Sequence, residues 1–230
     1  MREPLVIAVA QPQCVSFDVD ANAMTHAETV RAADARVVVF PELSLTGYEL
    51  DASVISVEDP RLTPIVAACA ETGSVALAGA PVQGEHIAML AIDADGVSVA
   101  YNKMWLVEEE AKRFVPGDAP AVFEVDGWRL GLAICKDTGV LQHAADTASL
   151  GMDVYVAGVL ESGETPTQHA ERARRVALTH GVRVAIASFA GPTGGGYDHV
   201  AARSGIWDAD GSVIAEVGTE IGAIARATLS

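Results

Sequence analysis

The chain has 230 residues, of which 50% are hydrophobic and 20% charged, with a formal net charge of −16. That length and balance fit one substantial core, and no compositional break or Ser/Pro-rich linker divides residues 1–230, so a single domain is expected. The acid excess excludes general binding to nucleic acid or to an anionic membrane surface, because both need Lys and Arg to neutralise phosphates.

The pattern alternates between strand-like and helix-like blocks. Leu5–Ala10 reads as a buried strand. Asp20 or Asn22 caps a helix running to about Ala35. Arg36–Phe40 is a short β-branched strand that stops at Pro41. Leu62–Thr72 reads as a helix ended by Gly73, and Ser74–Ala80 as a further strand. His86–Ile92 and Val97–Met104 flank Asp93-Ala94-Asp95-Gly96, a hairpin signal in which Gly supplies positive φ. A second hairpin joins Ala121–Val125 to Trp128–Ile134. A helix from about Val140 to Leu150, a strand Asp153–Val159, a helix Pro166–His180 and a strand Arg183–Ser188 follow. A third hairpin joins Ser204–Trp207 to Ser212–Glu216, and Gly222–Ala227 is the last strand. Strand–helix–strand units mixed with antiparallel hairpins imply an α/β fold with mixed sheets, two sheets facing each other with helices outside.

The N-terminal apolar run is short and is broken by Gln11-Pro12-Gln13, so it is a poor signal peptide. No stretch reaches the length of a membrane span. A cytoplasmic protein is expected. There is no GxxxxGK[ST], no GxGxxG after the first strand and no GxSxG elbow. Asp18, Asp20 and Asn22 alternate like a calcium loop, but Ala23 stands where Gly is needed. The scattered His residues lack metal-ligand spacing. Cys14, Cys69 and Cys135 form no disulfide framework and no CxxC. No cofactor or metal is expected.

Cys69 lies in an apolar helical stretch and reads as structural. Cys135 ends the run Trp128–Ile134 and opens into polar Lys136-Asp137-Thr138-Gly139. On this segment alone a nucleophile and a buried structural thiol are equally good readings. Glu42 follows Val37-Val38-Val39-Phe40-Pro41, again at a strand end. Lys103 sits amid apolar neighbours in Tyr101-Asn102-Lys103-Met104-Trp105, either reaching outward or held by internal carboxylates. Singly, each of these two fits a structural role better.

Together they form a pattern. FPELSLTGY, YNKMWL and GLAICKD, in that order, resemble the signature blocks of the nitrilase, or carbon–nitrogen hydrolase, superfamily. Glu110-Ala-Lys-Arg-Phe114-Val-Pro116-Gly117-Asp118 is similar to the block after the family's lysine, and its spacing to the aromatic selects Glu110 over Glu108 and Glu109. Ala10-Gln11 and the Arg203–Gly211 hairpin extend the resemblance over nearly the whole chain. It implies a four-layer α-β-β-α sandwich, a catalytic set of Glu42, Lys103 and Cys135, and a supporting Glu110. It also implies a homodimer and a small-molecule amide substrate.

In that scheme Glu42 takes the proton of Cys135, whose thiol is otherwise only a few per cent ionised at neutral pH. Cys135 attacks an amide carbonyl, and Lys103 with the backbone N–H of Lys136 stabilises the oxyanion. The leaving nitrogen departs from a thioester that water then cleaves. Where many family members carry an aromatic, then an acid, then an Arg and a Pro-Glu pair after the cysteine, this chain runs Cys135-Lys136-Asp137-Thr138-Gly139-Val140-Leu141-Gln142: Asp137 fits, Lys136 is unusual, and the Arg and Pro-Glu are missing. Lys136 either turns away and offers only its N–H, the preferred reading, or attracts an acidic substrate. Glu161, Thr165 and the Gly191–His199 loop are candidate pocket residues by position. Alternatives are nitrile hydrolysis or acyl transfer on the same site, and a catalytically silent interaction protein. Thiol redox chemistry lacks a resolving Cys.

Overall fold

A computed structural model describes residues 2–230. Strands β1 (Leu5–Ala10), β2 (Val37–Val39), β3 (Val75–Val82), β4 (His86–Asp93) and β5 (Gly96–Asn102) join a last strand of the chain in one sheet. Strands β6 (Val122–Val125), β7 (Trp128–Ile134), β8 (Val154–Val159), β9 (Arg183–Ser188), β10 (Gly205–Trp207) and β11 (Val213–Glu216) form the other, and β12 is Ile224–Leu229. The two six-stranded sheets run β12-β1-β2-β3-β4-β5 and β11-β10-β9-β8-β7-β6. In each, three central strands are parallel and the outer ones antiparallel: β1, β2 and β3 in the first, β7, β8 and β9 in the second. The expected mixed α/β architecture is therefore present.

The strand alternation explains the layering. Leu5, Ile7, Val9, Val37, Val39 and Leu77 point inward to meet Leu130, Leu132, Ile134, Val154 and Val156 of the opposite sheet. The intervening residues face outward. On the first sheet these are Ala8, Ala10, Val38, Ala76 and Ala78, which cover α1 (Val19–Ala33) and α2 (Thr63–Thr72). On the second they are Ala133, Tyr155, Ala157, Val184 and Ile186, packed on α3 (Leu141–Ser149) and α4 (Gln168–His180). Alanine dominates the outer face of the first sheet, which lets its helices approach closely. The result is an α-β-β-α sandwich. Among the described residues no helix is long and apolar enough to cross a membrane.

Some boundaries differ from the sequence reading. α1 begins two residues earlier than Asp20, and four earlier than Asn22, would place it. Asp18 is its cap, with the side chain accepting from Ala21 N. Asn22 is buried within the helix, where its amide bonds Val15 and Leu45 and ties the preceding loop down. α4 starts at Gln168 rather than Pro166, and β12 extends two residues beyond Ala227 because its ladder with β1 continues to Leu229.

Candidate active site

The three candidate residues all follow strand ends. Glu42 lies three residues beyond β2, Lys103 directly follows β5, and Cys135 directly follows β7. In an α/β sheet the carboxyl ends of parallel strands leave a crevice where chemistry is usually placed. Here the crevices of the two facing sheets share one interior.

Lys103, Glu42 and Glu110 are fully enclosed. The Lys103 ammonium donates to Glu42 Oε1 at 2.6 Å and to both Glu110 oxygens at 2.7 and 2.8 Å. Glu110 also accepts the Tyr48 hydroxyl at 2.7 Å and the Val107 N–H at 2.9 Å. Every oxygen of Glu110 is thus engaged, whereas Glu42 Oε2 is buried with no donor on it among the described residues. A bare carboxylate oxygen in an enclosed site costs stability unless it has a task.

Burial pushes Glu42 up to about 7; Lys103 opposes that shift, and the nearby Glu110 charge adds to it. Burial alone would lower the pKa of Lys103, but Glu42, Cys135 and Glu110 together hold it above its ordinary value. The Cys135 thiol is raised by burial and by the Glu42 charge, against the pull of Lys103. The resting site therefore contains a neutral thiol, a charged ammonium and a carboxylate poised near neutrality.

The Glu42 backbone is clamped between the sheets. A Cβ on Gly79 of β3 would lie 2.2 Å from Leu43 N and 2.7 Å from Pro41 O. One on Gly158 of β8 would lie 2.5 Å from Phe40 O and 3.0 Å from Glu42 N. Both strands need glycine because the Phe40–Leu43 backbone passes against them. Gly79→Ala and Gly158→Ala are each expected to lower stability by about 1–3 kcal/mol through overpacking. Each also shifts Glu42 and lowers kcat by tenfold or more, since an ångström of misplacement is costly. Thermal melts and ammonia-release rates check both effects.

Cys135 departs from the strand-like geometry of β7. Its φ is +44°, in the left-handed region, and it opens a single 3-10 turn over Cys135–Gly139. Such a conformation in a non-glycine residue stores about 1–3 kcal/mol and persists only when its surroundings impose it. Asp137 imposes it here: Oδ2 accepts from Ile134 N at 2.9 Å and from the Tyr101 hydroxyl at 2.7 Å, and Oδ1 accepts from Trp105 N at 2.9 Å. Thr138 Oγ1 adds a bond to Cys135 O at 2.7 Å. The buried chain continues through His143, whose ring nitrogens lie 2.9 Å from the Tyr101 and Tyr155 hydroxyls. The turn lifts Cys135 out of the sheet face, so that it is only partly buried and its Sγ donates to Leu160 O at 3.3 Å.

Cys135 opens into a cleft of about 200 Å³. Tyr48, Glu110, Lys136, Glu161, Arg172 and Tyr197 are among its lining residues. A larger groove of about 410 Å³ between α3 and α4 carries no thiol, carboxylate or lysine, so the chemistry belongs to the smaller cleft. Lys136 is part of the cleft lining instead of turning away from it, and its ammonium donates to Leu106 O. Glu161 lines the cleft, accepting from Thr165 Oγ1 at 2.8 Å. Thr165 itself is exposed and acts on the cleft only through that bond. Of the Gly191–His199 loop, Tyr197 reaches the cleft and packs edge-on against Tyr48 at 5.3 Å between ring centroids. Tyr48 and Arg172 carried no assigned role in the sequence reading. The signal for Tyr48 was its place at the end of FPELSLTGY, a polar-tipped aromatic in a loop after Glu42.

Two facing mixed sheets with helices outside, and a thiol beside an enclosed carboxylate–ammonium–carboxylate cluster, define the nitrilase type of protein. The chain belongs to the carbon–nitrogen hydrolase family, whose sequence profile matches residues 6–230. It is similar to the amidase of Nesterenkonia sp. AN1, with a TM-score of 0.86 over 98% of this chain and 93% of that one, at 21% identity. It is equally similar to a Saccharomyces cerevisiae member of branch 10 of the nitrilase superfamily, with a TM-score of 0.86 at 21% identity, covering 99% of this chain and 90% of that one. Among curated proteins, a Pseudomonas (R)-stereoselective amidase is 30% identical over 132 residues, 54% of this chain and 48% of its own. A glutamine-dependent NAD(+) synthetase of Xylella fastidiosa is 32% identical over 206 residues, 77% of this chain and 35% of its own. The chain thus spans half or less of the length of these two curated relatives.

Proposed function

We propose that this protein hydrolyses a small linear amide or carbamoyl compound through a thioester on Cys135. The observation that carries the reading is the buried Glu42 carboxylate, one oxygen on the Lys103 ammonium and the other without a hydrogen-bond partner among the described residues, in a cluster with Glu110, which lines the same cleft as Cys135. A carboxylate near neutrality is well matched to take a proton from a thiol and return it later.

The steps follow from that placement. The Cys135 sulfur attacks the amide carbonyl carbon as its proton passes to Glu42. The positive charge of Lys103 and the Lys136 N–H stabilise the tetrahedral oxyanion. The C–N bond breaks, the nitrogen takes the proton from Glu42, and ammonia or amine leaves. Water then attacks the thioester carbonyl with Glu42 again accepting a proton. Collapse releases the acid, and the sulfur recovers its proton. Glu110 keeps Lys103 charged and in place. The Nesterenkonia amidase offers parallels: one of its variants was solved with butyramide, and another with acrylamide added at its active-site cysteine.

The test is a covalent intermediate. Wild-type protein is mixed with ω-amides, carbamoyl amino acids, aliphatic amides and nitriles, and ammonia and acid are quantified. Acid-quenched samples are weighed intact. The expected result is ammonia and free acid in equal amounts, with a transient acyl mass on the peptide containing Cys135. Turnover without that adduct would overturn the thioester route, and a new amide as the main product would make the protein an acyl transferase.

A further inference from the structure

Among the described residues, no acid pairs with the charge of Lys136. The chain's lysines are Lys103, Lys112 and Lys136. Lys103 lies between Glu42 and Glu110, and Lys112 pairs with Glu109. Among the described residues Lys136 alone of the three has no carboxylate partner. Its bond to the Leu106 carbonyl leaves two N–H donors for another acceptor. A lone ammonium is unexpected in a chain of net charge −16, and this one lines the cleft into which Cys135 opens.

The rest of the lining carries one more cation, Arg172, and two carboxylates, Glu161 and Glu110, whose oxygens face partners of their own. Arg172 donates to Gln168 Oε1 and approaches Glu161 Oε2 only at 3.5 Å, so its charge is loosely offset. The other Glu161 oxygen is occupied by Thr165. Glu110 is fully engaged by Lys103, Tyr48 and Val107. The remaining walls include Val107, Leu160 and the Tyr48 and Tyr197 rings, which suit a short carbon chain.

We propose that the cleft selects amides bearing a carboxylate on the acyl chain, the monoamides of short dicarboxylic acids. The Lys136 ammonium binds that carboxylate and Arg172 supports it. The inference rests on the amidase reading and names its substrate class. A carboxylate fits better than a phosphate because the cleft is small, about 200 Å³, and offers one unpaired ammonium. In a partly buried cleft that attraction is weakly screened compared with a surface pair.

The experiment compares kcat/KM for succinamate with 4-methylpentanamide, and for glutaramate with 5-methylhexanamide. Each pair shares shape and differs in the terminal charge. Wild type is expected to favour the acid of each pair by about tenfold or more at low ionic strength. The ratio falls with added salt, falls about tenfold in Lys136→Gln, and largely survives in Lys136→Arg. Because a ratio is read, any general loss through the Lys136 N–H cancels. Calorimetric binding of the same pairs to Cys135→Ala, with and without Lys136→Gln, gives the answer independently of turnover. A wild-type ratio near one, or a ratio unchanged in Lys136→Gln, overturns the assignment. If both members of a pair are cleaved equally, the amidase reading stands and only the carboxylate subsite falls. If neither is cleaved and Cys135 gains no acyl mass with any amide, the amidase reading falls, and the binding ratio still decides the role of Lys136.

Discussion

Cys135→Ala lowers kcat/KM on any cleaved amide by roughly ten-thousandfold or more, the scale seen when a nucleophile that acts as part of a unit is removed. Glu42→Gln is expected to lose about as much, but in a different way. Gln cannot accept a proton, so both acylation and deacylation slow. With an activated acyl donor that bypasses the first barrier, the variant accumulates acyl-enzyme on Cys135, which intact mass detects. Wild type shows only a trace. The pH profile separates the roles further. Glu42 is raised to about 7, mainly by burial, and must be ionised to act as a base. The acid limb of wild-type kcat/KM therefore has its midpoint near pH 7, with activity rising tenfold per pH unit below it. The raised pKa also has a sign for stability. The folded state holds the Glu42 proton more tightly than the unfolded chain, so this group's contribution is full below about pH 4.3 and is lost as pH rises to about 7. Glu42→Gln removes that cost, and its melting temperature at pH 8 is expected to be no lower than wild type. An inactive variant that melts well below wild type at pH 8 would show that Glu42 is held for structure.

Much of this arrangement was legible in the sequence because local pattern determines it. β1, β7 and β9 occupy Leu5–Ala10, Trp128–Ile134 and Arg183–Ser188, as their apolar periodicity requires. Glu42 and Cys135 stand at strand ends that proline or polar residues mark, whereas Lys103 reads as inside a strand Val97–Met104 and the structure ends β5 at Asn102, one residue before it. What was not legible depends on long-range contact. The partners of Glu110 include Tyr48, 62 positions away, and no spacing rule connects them. The left-handed turn at Cys135 is invisible to residue propensity, since only the Asp137 network makes a non-glycine residue adopt it. The start of α1 shows a third reason: Asn22 looks like a cap, but tertiary bonds to Val15 and Leu45 draw it into the helix and leave the capping to Asp18. Lys136 was ambiguous for a related reason. Alternation predicts a residue facing away from the nucleophile, but alternation ends where the strand ends, and the 3-10 turn brings both residues to one cleft.

Lys103→Met is expected to lose both activity and stability, and the two losses can be separated. The side chain is fully enclosed between two carboxylates, and among the described residues its ammonium is the only positive charge bonded to either of them. Removing it leaves Glu42 and Glu110 facing each other without a counter-ion, a change that typically costs about 3–5 kcal/mol. Lys103 opposes the upward shift that burial gives Glu42, so without the ammonium the Glu42 pKa rises further above its unfolded value. The destabilisation must then grow as pH increases and shrink as Glu42 takes up its proton. Urea unfolding at pH 5 and pH 8 measures that slope, and a loss independent of pH would mean that the carboxylates are not coupled through Lys103. Combining Lys103→Met with Glu42→Gln and Glu110→Gln removes all three charges. That triple variant should recover part of the lost stability, because it removes the uncompensated buried charges that are left when one partner of an ion cluster is taken away. It should recover no activity, with kcat/KM still down by roughly a thousandfold or more, since neither a base nor an oxyanion charge remains. Stability restored without turnover would separate the part of the cluster that serves the fold from the part that serves the chemistry.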